Sequence, residues 1–261
     1  MHGADAPILS SDAAGIRTLV LNQPAARNAL SLAMMDALQA AVLAAGQDPE
    51  VRVVVLAGAG PAFCAGHDLK EIRAHADPAF HETLMQRCVA LMLAIVRCPK
   101  PVIARVHGIA TAAGCQLVAT CDLAVASEDA RFATPGVNIG LFCSTPMVAL
   151  SRNLANKHAM EMLFTGDLVG AAEAWRMGLV NRVVPVAQLD AAVQALALRI
   201  AAKSGSALAI GKRAYYEQAA MPLEDAYRFA AQVMVRNLQT ADAAEGIDAF
   251  IQKRPACWID R

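Results

Sequence analysis

Short runs of consecutive apolar residues alternate with longer amphipathic stretches through the first two thirds of the chain. The runs are rich in β-branched residues, and continuous apolar runs of this length are typical of strands in a buried sheet. They predict strands at residues 16–22, 51–57, 101–107 and 122–126. Between the first two runs, Ser31 is placed to cap an amphipathic helix that continues to Ala45.

Helical periodicity replaces the strand pattern towards the C-terminus. Glycine and proline signals bound predicted helices at residues 79–96, 113–120, 145–164 and 171–177. After Leu189 only helices are predicted, at residues 189–202, 207–219, 223–237 and 241–253. We therefore predict an α/β fold, with an α/β core at residues 1–195 and an all-helical region at residues 196–261.

Charge and hydropathy narrow the function classes. The 261 residues include 23 basic and 23 acidic ones, so the formal net charge is zero. No nucleic-acid partner is expected, because binding a phosphate backbone draws on a basic excess. No membrane partner is expected, because the longest apolar run, residues 89–96, is far shorter than the roughly 20 residues that span a bilayer. Residues 1–10 show no signal or transit pattern, which predicts a cytoplasmic location.

Metal and nucleotide motifs are incomplete. The turn at residues 58–60 (G-A-G) follows a strand, but Phe63 occupies the third glycine position of a dinucleotide-binding turn. The pair at residues 81–82 (H-E) begins a zinc-protease motif, but Met85 stands where its second histidine belongs. The seven cysteines form no C-x-x-C pair and are expected to be mostly buried free thiols. No metal site is therefore expected.

Two turns of small residues each follow a predicted strand, at residues 63–70 (F-C-A-G-H-D-L-K) and 107–115 (H-G-I-A-T-A-A-G-C). Small side chains let a ligand approach backbone N–H groups, and the second turn opens a helix whose N-terminal dipole favours negative charge. For either turn alone, tight packing against the sheet is the simpler interpretation. Together they predict an oxyanion hole, in which two N–H groups bind one oxygen.

The chain resembles the crotonase, or enoyl-CoA hydratase/isomerase, superfamily. The resemblance implies a ββα spiral core and a helical C-terminal region that builds trimers, usually paired into hexamers. It also implies an acyl-CoA substrate, with coenzyme A as part of that substrate and no separate cofactor. The segments that carry it are residues 24–30 (P-A-A-R-N-A-L), 63–72, 100–122, 160–166 (M-E-M-L-F-T-G), 174–185 and 250–254.

The resemblance also implies which residues form the site. The backbone N–H groups of His67 and Ala113 match the family's oxyanion hole, which would stabilise a thioester enolate. Arg27 and Lys70 are candidates for phosphate contacts. The remaining substrate-binding positions implied are Ala65, Asp68, Leu69, Cys143 and Ser144, together with Phe250 and Lys253, which match residues that reach a neighbouring subunit's CoA.

The sequence departs from the family at its two catalytic glutamates. Hydratases of the family use these as general base and acid, whereas this chain has Gln116 and Gly136 in their places. A glutamine amide does not exchange protons near neutral pH, and glycine has no side chain. Loss of general acid–base catalysis costs roughly 10²–10⁴-fold in rate. We therefore expect a CoA-thioester lyase or isomerase in which hydration is inefficient.

Two alternatives stay open. A decarboxylase of the family shares the Gly-His-Asp turn and needs chiefly an oxyanion hole, because loss of CO₂ creates the enolate without a base; its catalytic tyrosine position is Cys143 here. The isomerases need a carboxylate at Gly136 or, for the dienoyl type, at Ser144. The second alternative is an acyl-CoA-binding protein without catalysis.

Other polar and aromatic residues are predicted to be structural. Asp122 is expected to accept hydrogen bonds that support the fold, and His107 to hold a strand end. The ring of His67 is expected to pack or to bond locally to Asp68. One branch of the family is similar to this chain in the segments A-T-A-A-G-C-Q-L and F-A-T-P-G-V-N-I-G-L-F-C-S-T-P. That branch likewise lacks both glutamates.

Overall fold

The structure is a computed structural model that describes residues 6–260. Residues 1–5, on which part of the targeting prediction rests, lie outside the described residues. The strands are β1 (Ile8–Ala13), β2 (Ile16–Leu21), β3 (Val53–Gly58), β4 (Ala62–Cys64), β5 (Val102–Val106), β6 (Ile109–Thr111), β7 (Leu123–Ser127), β8 (Arg131–Ala133), β9 (Val169–Gly170) and β10 (Arg182–Val184). The helices are α1 (Leu32–Gln47), α2 (Leu69–Ala74), α3 (Pro78–Arg97), α4 (Ala113–Thr120), α5 (Ser144–Leu150), α6 (Asn156–Thr165), α7 (Ala171–Met177), α8 (Leu189–Ala201), α9 (Gly205–Gln218), α10 (Leu223–Leu238) and α11 (Ala241–Ile251).

The strands form two sheets. One has six strands in the order β1-β2-β3-β5-β7-β10, and the other has four in the order β4-β6-β8-β9. From β2 to β10 all neighbours in the first sheet are parallel. Along the chain, the pairs β3–β4, β5–β6 and β7–β8 each give one strand to each sheet before a helix follows. This repeat of two strands and a helix confirms the predicted α/β class.

The topology brings the two small-residue turns to one edge. β4 and β6 are parallel neighbours, so the turns that follow them leave the second sheet on the same side. The turn after β6 leads into α4, all eight residues of which are buried. The second turn therefore sits at the N-terminus of a helix that runs into the core.

The core lies between the sheets and the helices α1, α3 and α4. Leu38, Leu91 and Leu117 belong to this cluster and are fully buried. A second, smaller cluster covers the other face of the first sheet, where Val193 and Leu196 of α8 pack on its strands. The predicted boundary between residues 195 and 196 falls inside α8, and helices α9–α11 follow it.

The predicted strands lie within two residues of β2, β3, β5 and β7, and Ser31 caps α1 by accepting a hydrogen bond from Met34 N. One predicted helix, at residues 145–164, is wrong, because the segment forms α5 and α6 with a break between them. In the break, Asn153 Nδ2 donates to Ala119 O at 2.8 Å and to Ala149 O at 2.9 Å. Leu154 is buried beside it, so tertiary contacts end the helix where periodicity alone continues.

Helix α3 is long and apolar enough to cross a membrane, with a mean hydropathy of 1.3 over its best window. The prediction from residues 89–96 considered only the uninterrupted run and missed this. Length and composition alone do not separate such a helix from one in a protein core. Here α3 buries Leu84, Cys88, Leu91 and Ile95 against the core. The absence of a membrane partner stays a prediction.

Candidate active site

The two small-residue turns approach each other so closely that two glycines are required. A Cβ atom added to Gly114 would lie 2.1 Å from the carbonyl oxygen of Cys64. One added to Gly66, whose φ is +94°, would lie 2.8 Å from Ala112 Cβ and 3.3 Å from Ala113 N. Real Cβ atoms do not approach that closely, so no larger residue fits without movement of the backbone. The predicted turns are therefore brought together.

Side-chain hydrogen bonds hold this arrangement. Thr111 Oγ1 donates to Ala65 O at 3.1 Å and links the two turns directly. Asn28 is fully buried with φ +55°, and its side chain holds the backbone that leads into the first turn. Its side-chain Nδ2 donates to three carbonyl oxygens, those of Ala59, Ala62 and Phe63. Sequence patterns did not predict that Asn28 and Thr111 support the site, although both lie within segments that carry the resemblance.

The backbone N–H groups of His67 and Ala113 have no acceptor among the residues that the structure describes. Ala113 is the first residue of α4, so its N–H also carries the positive end of the helix dipole. The residue before it, Ala112, has φ +50° and ψ −119°, a conformation that costs a non-glycine residue about 1–3 kcal/mol. Ala112 N donates to Ala133 O at 2.9 Å, which helps to hold it there. Two unused donors on adjacent turns are suited to binding one oxyanion.

The ring of His67 makes no hydrogen bond to Asp68, so of the two expected arrangements the structure shows the packed one. Its Nδ1 lies 3.4 Å from Leu30 O, and its Nε2 is buried without a hydrogen-bond partner. Asp68 instead caps α2, where its carboxylate accepts from Lys70 N and Glu71 N. Burial lowers the pKa of His67, against the smaller raising effect of the Leu30 carbonyl. The ring is neutral at neutral pH.

Gln116 lies on α4 and is 5% exposed. The Cys88 thiol is 3.8 Å from its Oε1, a weak sulfur hydrogen bond that fixes the amide. Burial raises the pKa of Cys88 to about 11, so this neighbour stays a thiol near neutral pH. The amide therefore has an uncharged partner and supplies no titratable proton.

At residue 136, where the resemblance implies a second glutamate, neighbouring backbone fills the space that a side chain would need. A Cβ atom added to Gly136 would lie 2.6 Å from Leu141 O and 2.9 Å from Cys143 Sγ. Leu141 N donates to Gly136 O at 2.9 Å and closes this loop over the glycine. A glutamate does not fit at residue 136 while the loop keeps this shape. The sequence alone shows the missing carboxylate but not the closed loop.

The other predicted substrate-binding residues lie in three places, namely at the start of α5, on and beside α2, and among the C-terminal helices. Cys143 is buried, and burial raises the pKa of its thiol; Ser144 beside it is exposed at the start of α5. Lys70 and Leu69 are exposed on α2, and Arg27, with φ +50°, accepts a hydrogen bond from Ala65 N through its carbonyl.

The C-terminal pair lies apart from these, among the C-terminal helices. Phe250 is 85% exposed on α11 and, together with Trp258, lines a cavity of about 540 Å³. Lys253 follows α11 with φ +54°. The single chain therefore does not show the two residues completing a site, and the inferred contact with a neighbouring subunit stays a prediction.

The predicted structural roles are found for two polar residues. Asp122 accepts hydrogen bonds from Val102 N at 2.7 Å, Lys212 Nζ at 2.6 Å and Tyr216 OH at 3.0 Å. His107 Nε2 lies 2.7 Å from Gly60 O at the end of its strand.

The cysteines are free thiols, as predicted, and six of the seven are buried. Among residues 6–260 no three His, Cys, Asp or Glu side chains are placed to share a metal ion. The sequence-based expectation of no metal stays a prediction.

Comparison with known proteins agrees with this architecture. Residues 11–261 match the family described as enoyl-CoA hydratase/isomerase. A mouse protein named enoyl-CoA hydratase domain-containing protein 3, mitochondrial, is 49% identical over 244 residues, which cover 94% of this chain and 81% of that protein. The crystal structure of a Mycobacterium smegmatis enoyl-CoA hydratase is 54% identical, with a TM-score of 0.94 and coverage of 97% of this chain and 98% of that one. The structure of human enoyl-CoA hydratase domain-containing protein 3 is 46% identical, also with a TM-score of 0.94, over 97% of this chain and 100% of that one.

These relatives correct one prediction and confirm another. The predicted cytoplasmic location is wrong by this comparison, because the mouse, rat, Xenopus laevis and human relatives are all named as mitochondrial proteins. The similarity to solved structures over nearly the whole chain confirms the crotonase-like fold with its helical C-terminal region. The chain therefore belongs to the enoyl-CoA hydratase/isomerase family.

Proposed function

We propose that this protein binds an acyl-CoA thioester and stabilises its enolate through the backbone N–H groups of His67 and Ala113. The observation that carries this proposal is that both donors are unused and lie on turns in van der Waals contact. The thioester carbonyl oxygen becomes negative in the enolate, and two preorganised donors stabilise it more than they stabilise the neutral carbonyl. Coenzyme A enters as part of the substrate.

The proposed reaction is enolate chemistry of the hydratase/isomerase type with slow hydration. Hydration requires a proton acceptor for the attacking water and a proton donor for C2. Gln116 supplies neither, and the Leu141 carbonyl occupies the space beside Gly136. We expect crotonyl-CoA hydration to be roughly 10²–10⁴-fold slower than in an enzyme with both carboxylates.

Substitution of one donor tests the oxyanion hole. Ala113→Pro removes the N–H at the first position of a helix, a position that tolerates proline, and puts the ring Cδ where the hydrogen was. Asn156→Pro at the first position of α6 is the matched control, because its N–H also has no acceptor among the described residues. Loss of one oxyanion donor is expected to lower turnover of any accepted thioester by about 10²–10³-fold. Equal turnover of both variants and the wild type, with unchanged circular dichroism, would contradict the assignment.

Decarboxylation is the second candidate, and the uncharged surroundings of Gln116 favour it. In a malonyl-type thioester the bond between C2 and the carboxylate carbon breaks, its electron pair forms the enolate, CO₂ leaves, and C2 takes a proton from water. This sequence needs no protein base. Release of CO₂ from malonyl-CoA or methylmalonyl-CoA, faster than hydration of crotonyl-CoA and lost in Ala113→Pro, would select this reaction. Tight binding of butyryl-CoA with no turnover of any of these thioesters would instead favour the non-catalytic binder.

The finer assignments follow from the same proposal. Arg27 and Lys70 are exposed beside the first turn and are proposed to contact CoA phosphates. Helix α10 and most of α9 leave their residues at least partly exposed in the single chain. We propose that they are covered in a homotrimer or a hexamer built from two trimers, in which Phe250 and Lys253 reach the CoA of a neighbouring copy.

A further inference from the structure

The His67 side chain is half-buried, its Nε2 atom is fully buried, and the ring makes a single hydrogen bond. Its Nδ1 faces Leu30 O at 3.4 Å, and because a carbonyl oxygen only accepts, Nδ1 carries the proton of the neutral ring. Nε2 then presents a lone pair to a buried space. Among residues 6–260 it is the one buried side-chain nitrogen or oxygen without a hydrogen-bond partner. A buried lone pair at Nε2 is compatible with the neutral ring, whereas protonation would place an N–H donor there.

The ring and the main chain of His67 are held by the same residue. Leu30 N donates to Gly66 O at 2.7 Å, and Leu30 O accepts from Asp68 N at 3.3 Å as well as from the ring. Leu30 thus binds the residue before His67, the residue after it and its side chain. The ring of His67 and the peptide that carries its free N–H are therefore anchored at the same residue.

Among residues 6–260, no charged group is placed to stabilise a protonated ring. The Asp68 carboxylate accepts from Lys70 N and Glu71 N, and Glu71 Oε2 accepts from Leu32 N at 3.0 Å. Arg27 and Lys70 are exposed cations and supply no negative charge to the ring. On the turns themselves, Cys64 and Cys115 are fully buried thiols, and burial raises the pKa of each to about 12.

We propose that the neutral His67 imidazole is a positioning residue, which holds its own main-chain N–H in the oxyanion hole and releases it when the ring is protonated. This inference rests on the proposed function, because the N–H matters only if a thioester oxygen binds there. An imidazolium would place an N–H donor at Nε2, where no acceptor exists, and an unmet buried donor is costly. The lowered pKa of His67 agrees with this, since it shows that burial disfavours the charged ring. Binding of acyl-CoA thioesters is therefore acid-sensitive.

The binding test distinguishes the effect of the His67 side chain on affinity from the effect of its main-chain N–H. Butyryl-CoA, a saturated thioester that cannot be hydrated, is titrated calorimetrically into the protein from about pH 8 to about pH 5. His67→Asn keeps a side-chain N–H near the position of Nδ1 and removes the titrating Nε2, whereas His67→Ala keeps only the main-chain N–H. His75→Asn changes an exposed histidine of the same segment and is the matched control.

We expect wild type and His75→Asn to lose affinity by up to about tenfold per pH unit below the pKa of His67. The affinity of His67→Asn should not fall in this way between about pH 8 and about pH 5, while His67→Ala should bind about three- to tenfold more weakly than His67→Asn at every pH. A wild-type pH profile that survives in His67→Asn, or full affinity of His67→Ala at about pH 8, would overturn the proposal.

A second measurement needs no ligand. Nitrogen NMR of the free, uniformly labelled protein should show the Nδ1–H tautomer of His67, and protonation of its ring should shift the backbone amide signals of His67 and Asp68. An Nε2–H tautomer, or amide signals that ignore the titration, would overturn the inference even if butyryl-CoA binds. Conversely, failure of wild type to bind butyryl-CoA at any pH, with the tautomer and the coupled shifts present, would contradict the proposed function and leave the positioning of the N–H by the ring intact.

Discussion

At the scale of single residues, the site depends on how closely two pieces of backbone approach. Gly114 packs against the Cys64 carbonyl at a distance that excludes any Cβ atom. The contact is with backbone rather than with the flexible end of a side chain, so the neighbour cannot move aside cheaply. The unused N–H of Ala113 is one residue away, which makes the spacing of the two donors sensitive to this position.

We therefore predict that Gly114→Ala lowers the free energy of unfolding by about 1–3 kcal/mol and abolishes butyryl-CoA binding, because overpacking displaces the turn. Gly211→Ala is the control, since nothing lies within 4 Å of its added Cβ and alanine favours a helix. It should leave stability unchanged or raise it by about 0.5–1 kcal/mol. Urea unfolding at fixed protein concentration measures both variants, and similar losses in the two would refute the packing argument.

The thiols give a second prediction at this scale. Burial raises the pKa of Cys64 to about 12 and of Cys88 to about 11, and Cys257 is the exposed thiol. At neutral pH, a thiol reagent should label one cysteine of the native protein rapidly and the other six only on unfolding. The rapid phase should vanish in Cys257→Ser. A rapid phase that persists there would show that one of the site thiols is accessible and reactive.

At the scale of helices and strands, Asp122 joins the C-terminal helices to the core. Its carboxylate binds Lys212 and Tyr216 of α9 as well as the first residue of β5. The Lys212 side chain is only 9% exposed, and its ammonium group also reaches the carbonyl oxygens of Ile95 and Lys100. Burial beside this carboxylate raises the pKa of Tyr216, so its hydroxyl remains a donor over the whole physiological range.

Asp122→Asn should lower the free energy of unfolding by about 3 kcal/mol, because it leaves a largely buried ammonium group without its counter-ion. Asp225→Asn on α10 removes an exposed partner of Arg228 and should cost less than about 1 kcal/mol. Urea unfolding compares the two. Equal effects would mean that Lys212 finds enough compensation in the two carbonyl oxygens alone.

Sequence patterns predicted the helices and strands whose bounds are determined by residues close together in the chain. The Ser31 cap, the apolar runs of β3 and β5, and the bounds of α4 and α7 are set by residues next to each other in the chain. The three-residue strands β4, β6 and β8 are too short to show alternation and were missed. They exist because neighbouring strands pair with them. The same limit explains the site, because motif positions identified the two turns but not the contact of His67 with Leu30, 37 residues away. The loop over Gly136 is local, but its backbone conformation has no signal in the hydrophobic pattern.

At the scale of the whole molecule, the C-terminal helices leave apolar surface uncovered. Helix α10 carries four large exposed residues at spacings that place them along one stripe, namely Leu223, Tyr227, Met234 and Leu238, which are 74%, 73%, 61% and 56% exposed. Contiguous apolar surface of this kind commonly marks a protein interface. This stripe is the surface on which the proposed trimer or hexamer depends.

We predict that the wild type sediments as a trimer or hexamer and that Leu223→Glu/Tyr227→Glu sediments as smaller species, because two buried carboxylates disfavour the interface. Gln232→Glu, an exposed change elsewhere on α10, should sediment like wild type. Analytical ultracentrifugation distinguishes the states. Unchanged sedimentation of the double variant would place the subunit interface elsewhere.

The loop over Gly136 also limits which substitutions this chain can accept during evolution. A single codon change can replace Gln116 by glutamate, but one that replaces Gly136 places a side chain against the Leu141 carbonyl. Recovery of a second acidic group therefore requires a coordinated change in the loop at residues 137–143 before it confers any benefit. Stepwise mutation meets a folding penalty first, so divergence away from two-carboxylate chemistry is easier for this protein than return to it.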